Sequence, residues 1–196
     1  MVRVVHLILA ALAMALIPRA AFAHIGHGVT ASFAAGFTHP FGGLDHVVVM
    51  VAVGLWAVLK GGCALWLWPL AFVTVMLMGG ALGMAGVKVP FVEPAILASV
   101  VAIGLLVALS LEAPVWFGAV IVGVFALFHG HAHGTEVTES VGGFEYMAGF
   151  ATATGTLHLI GLALALGLSR AGWRPLINVG GVACVALGLA LSAGLI

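Results

Sequence analysis

Two short stretches set ionisable side chains inside otherwise apolar sequence: HPFGGLDHVVVM, residues 39 to 50, and FHGHAHGTE, residues 128 to 136. In the first, His39 and His46 stand seven residues apart, two helical turns, and share one face of a continuous helix. Asp45 adjoins His46, and Met50 follows one turn on. In the second, His129 and His133 are four apart and Glu136 lies three further along, so a helix projects all three from one stripe. His131 points elsewhere and is a candidate for an entrance. Imidazole and carboxylate at helical spacing form a ligand set for a borderline divalent ion such as Ni, Co, Cu or Zn, whereas Mg and Ca prefer oxygen. An ionisable group at the centre of a membrane span costs at least about 2.5–3.5 kcal/mol on insertion scales, so each needs a partner or a role. The apolar interior offers Asp45 no Lys or Arg, which leaves His46 or a bound cation. His158, alone in a later apolar stretch, reads as a helix-to-helix hydrogen bond, and Met50, Met76, Met78 and Met84 read as packing residues.

The elements that must position these groups are membrane helices. Of 196 residues, 64% are hydrophobic and 6% charged, and the mean hydropathy is +1.31, far from the roughly 25% charged residues of soluble domains. Net charge is zero, which gives nucleic acid no purchase, and 28 glycines let helices approach closely. Cys63 and Cys184 lack C-x-x-C spacing, so neither a disulfide framework nor a thiolate metal site is indicated. At the N-terminus Arg3, the apolar run VVHLILAALAMALI and Ala21-Phe22-Ala23 read as a cleavable signal peptide over residues 1–23. Cleavage there exposes His24 and His27 as further entrance ligands. Residues 24–196 then form a single domain, an all-α membrane protein with a compact six-helix bundle. Its spans fall at about 36–59, 65–86, 92–111, 114–134, 143–168 and 174–195.

With the mature N-terminus outside, Lys60, Arg170 and Arg174 face the cytoplasm and Lys88 alone lies outside, in accord with the positive-inside rule. Glu93, Glu136, Glu139 and Glu145 fall outside. Trp56, Trp66, Trp68 and Trp173 read as interfacial anchors near the cytoplasmic ends. Depth favours a meeting of the two histidine stretches: at 1.5 Å per residue His46 lies about 15 Å in, and His129 about 7–8 Å from its outer end. A tilt or a partly unwound segment brings both to one site.

These residues resemble the HupE/UreJ family of small nickel and cobalt permeases, from the signal through six spans. HPFGGLDHVVVMVAVGLWA is similar to the family's first-helix signature His-Pro-x-x-Gly-x-Asp-His, and FHGHAHGTE to its fourth-helix signature. The resemblance implies that His39, Asp45, His46, His129, His133 and Glu136 recognise the metal. It also implies ATP-independent import of Ni2+ or Co2+ at a bacterial inner membrane, in the supply of hydrogenase, urease or cobalamin synthesis. The partners expected are the divalent ion and the lipid bilayer, with a homo-oligomer compatible with the chain and no cofactor permanently bound.

Independently of the resemblance, the absence of G-x-x-x-x-G-K-[ST] means that the chain does not itself consume nucleotide. A mixed imidazole and carboxylate set also suits an ion that must be released. The alternative is a haem b electron carrier using His46 with His129 or His158 as axial ligands. Against it, carboxylates beside the histidines suit a divalent ion better than a porphyrin. Enzymatic chemistry is not expected: His-Gly-His-Ala-His lacks the glutamate base of H-E-x-x-H, and no G-x-S-x-G occurs.

Overall fold

The computed structural model describes residues 32–137 and 142–195, so the signal-peptide region, His24, His27 and Glu139 lie outside it. The described residues form seven helices: α1 (Phe33–Thr38), α2 (Leu44–Lys60), α3 (Ala64–Met84), α4 (Val92–Ala108), α5 (Val115–Glu136), α6 (Gly143–Arg170) and α7 (Pro175–Ala193). A single 3-10 turn, His39–Gly42, joins α1 to α2. In length and apolarity α3, α5, α6 and α7 can each cross a membrane, which makes this a multi-pass membrane protein. The pair formed by α1 with the 3-10 turn and α2 passes the same test together but is bent by 89°, and α4 is a shorter apolar helix of 17 residues.

The bend corrects the expectation of one continuous helix over 36–59. Pro40 fits the start of the 3-10 turn, where its missing N–H is harmless, and the extended Gly43 (φ −114°, ψ 121°) redirects the chain before α2 begins. His39 and His46 therefore belong to different elements, and the two-turn spacing does not set their relation.

Packing depends on backbone-to-backbone approach. The most extensive contact is α3 on α5. There Gly79 and Gly83 of α3 face the Leu127 and His131 carbonyls, while Gly130 and Gly134 of α5 face those of Met76 and Gly80. A Cβ at any of these four positions would collide with main chain. The same device joins α1 to α6 through Gly36 and Gly149, and α2 to α6 through Gly54 and Gly161. Side chains supply the remaining polar links: the Asn178 amide of α7 donates to the Val107 and Ala108 carbonyls at the end of α4, at 3.1 and 2.9 Å. Much of the outer surface carries large apolar side chains such as Leu70, Val120, Leu159 and Val179, as a lipid-facing surface requires.

Two tryptophans depart from their expected role. Trp56 and Trp68 are wholly buried, their rings 4.1 Å apart, and their indole N–H groups donate to the carbonyls of Leu111, in the α4–α5 connection, and Val115, at the start of α5. Trp66 and Trp173 are exposed, as anchors are. The buried pair fastens the end of the bundle where the Arg174 guanidinium donates to the Leu59 carbonyl (3.4 Å), beside Lys60.

A valine at Gly130 has no space against the Met76 carbonyl, and overpacking of this kind costs about 1–3 kcal/mol or more. Gly130→Val is expected to lower the melting temperature of the detergent-purified protein by several degrees. Gly155→Ala, which meets nothing within 4 Å, is expected to leave it unchanged or raise it.

Candidate metal centre

The site is built where the start of α2 meets the last turns of α5. Gly43 releases α2 from the 3-10 turn with Asp45 in its first helical turn, and the Asp45 Oδ1 atom accepts from both the backbone N–H and the Nδ1–H of His46, each at 2.9 Å. A Cβ on Gly43 would lie 2.7 Å from that oxygen and 2.9 Å from His46 Nδ1, so the pair requires glycine there. On α5, which stays helical through Glu136, His133 donates from Nδ1 to the Glu136 carboxylate at 3.2 Å. The two halves meet at their other nitrogens: His133 Nε2 and His46 Nε2 are 2.6 Å apart.

This arrangement fixes a proton count. Carboxylates only accept, so both Nδ1 atoms carry hydrogen, and the contact between the Nε2 atoms needs one more. Three protons shared by two imidazoles is one more than two neutral rings hold. Without it, two lone pairs face one another, which is the geometry a cation completes.

His39 joins from the 3-10 turn. Its Nε2 lies 3.6 Å from Glu136 Oε2 and its ring centroid 4.7 Å from that of His133. One ligand atom from each of His39, His133 and Glu136 falls within 4.8 Å of the others, a spacing that could hold a metal ion. A cavity of about 370 Å³ opens beside them, lined by His39, Asp45, His46, His133 and Glu136 and also by the half-buried Glu93 of α4. His129 stands behind His46, ring centroids 5.1 Å apart, fully buried. Its Nδ1–H donates to the Phe125 carbonyl at 3.0 Å, so Nε2 is the bare lone pair, and among the described residues it has no hydrogen-bond partner. A backbone carbonyl holding the far nitrogen is how ligating histidines are commonly oriented.

The structure thus brings His39, Asp45, His46, His133 and Glu136 to one cavity, with His129 directly behind. His131 goes elsewhere: it is buried and its Nε2–H donates to the Val87 carbonyl in the α3–α4 connection at 2.6 Å, away from the cavity where an entrance ligand would stand. His46 and His129 lie edge to face, with no gap for a porphyrin plane between them.

Sequence reasoning missed three contributors. Glu93 lines the cavity, but nothing local in the sequence marks it as facing the histidines. Phe150 packs its ring 4.4 Å from His133 and 6.2 Å from both His39 and His46, and Tyr146 lies 5.8 Å from His39. The i, i+4 spacing of Tyr146 and Phe150 was a readable signal of a shared face.

The family model described as HupE / UreJ protein matches residues 12–191, nearly the whole chain. The chain belongs to the HupE/UreJ family. It is 46% identical over 187 residues to Protein HupE of Rhizobium leguminosarum bv. viciae, covering 95% of each chain. No solved structure matches it. A HupE/UreJ chain therefore combines a glycine-seated α3–α5 pair with an elbow before α2, and the two carry facing imidazoles.

One outcome tests this geometry. Gly43→Ala is expected to weaken Co2+ binding at least tenfold, read from the cobalt absorption spectrum, with helix content unchanged by circular dichroism.

Proposed function

We propose that this protein is a secondary, ATP-independent permease that imports Ni2+ or Co2+. The observation that carries the reading is the convergence of imidazoles and carboxylates from α2, α5 and the 3-10 turn on one cavity within a multi-pass bundle. His39, Asp45, His46, His129, His133 and Glu136 are the proposed metal ligands. The outer His39 and Glu136 capture the ion, while Asp45 and His46 form the inner coordination and gating pair. Membership in the HupE/UreJ family supports this substrate class.

In this reading the bent pair and α4 each count as a passage, giving six. A signal peptide over residues 1–23 is removed, and the mature N-terminus, with His24 and His27, faces outward from a bacterial inner membrane. One observation supports the orientation: Arg174 meets the chain beside Lys60 at the end away from the cavity that holds Asp45, Glu93 and Glu136. The imported ion serves hydrogenase, urease or cobalamin synthesis, and the chain is neither an enzyme nor the holder of a permanent cofactor.

Cells expressing the protein are expected to accumulate radioactive nickel or cobalt, and Asp45→Asn and His133→Ala, inserted at normal levels, to accumulate at least tenfold less. Wild-type uptake by both variants would overturn the assignment.

A further inference from the structure

Beyond the cavity, α6 carries a buried row at four-residue spacing: Tyr146, Phe150, Thr154 and His158. The first two wall the histidine cavity. His158 stands eight residues past Phe150, about 12 Å further along the helix at 1.5 Å per residue. It lies next to the midpoint of a helix running from Gly143 to Arg170, and its relative exposure is 0%.

The expected helix-to-helix hydrogen bond is not made. Among the described residues neither ring nitrogen of His158 has a hydrogen-bond partner. A buried imidazole left in this way costs on the order of 1–3 kcal/mol, and an apolar side chain would fill the same space without that cost. Packing alone does not explain a histidine here, and an ionisable residue at mid-membrane points first to function.

Its surroundings connect it to the outer site. The Phe72 ring of α3 lies 5.0 Å from the His158 ring and 5.7 Å from that of His129, so the two histidines flank one phenylalanine. The His129 Nε2 lone pair is likewise unpartnered and wholly buried. One turn along α3 from Phe72, the Met76 sulfur accepts from the hydroxyl of Thr154, one turn along α6 from His158. Ring centroids step inward from His133 to His46 (4.6 Å) and from His46 to His129 (5.1 Å), and the row reaches His158 across Phe72.

We propose that His158 is an inner station for the transported divalent cation, reached from His129 past Phe72, with the Met76 thioether and the Thr154 hydroxyl one helical turn away on the helices that frame it. The inference rests on the permease reading above. Neutral imidazole and thioether supply donors to a borderline divalent ion, and the lack of a carboxylate at this level keeps the station weak, as suits transit and not storage.

The test uses His158→Leu and His158→Gln beside the wild type. Purified proteins are titrated with Co2+, and proteoliposomes or cells are assayed for 57Co2+ and 63Ni2+ uptake. Both variants are expected to keep cobalt affinity at the outer cavity within about twofold, to melt no lower than wild type, and to take up either ion at least tenfold more slowly. Uptake at the wild-type rate by either variant overturns the inner station, as does a parallel loss of outer-site affinity and thermal stability in both, which marks a structural residue. A wild type that carries neither ion overturns the permease reading, and the inner station falls with it.

Discussion

The end of the bundle that holds the histidine cavity is organised around one contact, the meeting of His46 and His133 through their Nε2 atoms. Each ring is held from behind by a carboxylate, Asp45 on one side and Glu136 on the other, so four side chains form one line across the gap between α2 and α5. Such a line demands accuracy from both helices. The α5 half obtains it from the glycine crossing with α3, where main chain lies on main chain and no side chain can slip. The α2 half obtains it from Gly43, whose missing side chain lets the Asp45–His46 pair turn back on the chain leading into the helix.

The two halves differ in how they are anchored. α3 and α5 form the most heavily packed pair in the molecule, while α1 and α2 lean chiefly on α6. α6 in turn supplies the aromatic wall of the cavity and, deeper, the row that ends at His158. One helix thus both walls the cavity and carries the buried row beyond it, and its buried face mixes Tyr, Phe, Thr and His instead of the uniform aliphatic stripe of an ordinary core.

Much of this was legible in the sequence, because membrane burial makes ionisable residues expensive and hence informative. The apolar helical stretches followed from hydropathy, and spacing put His129, His133 and Glu136 on one stripe provided the helix ran on past the span ending near residue 134, as it does. The elbow at Gly43 was not legible: Pro40, Gly42 and Gly43 are compatible with a helix start as well as with a bend, and only the tertiary demand to bring His46 against His133 separates the two. Trp56 and Trp68 misled for a related reason. Tryptophan near the end of an apolar run marks an interface only if it faces outward, and here the partner carbonyls that draw both rings inward, Leu111 and Val115, lie more than forty residues away. Glu93 and Phe150 likewise reach the site through helix packing that no local pattern encodes.

The absence of α2–α5 from the principal helix contacts among the described residues has a mechanical consequence. A divalent ion bound to both imidazole nitrogens at about 2 Å each would hold them roughly 2.8–3.3 Å apart, so the 2.6 Å span would have to widen by only a few tenths of an ångström. Since α5 is clamped to α3, and α2 is seated on α6 through Gly54 and Gly161, the adjustment would fall on the start of α2, which follows a four-residue turn and the extended Gly43. An ion there would act as a narrow wedge, and the elbow before α2 is the place that would take up its width.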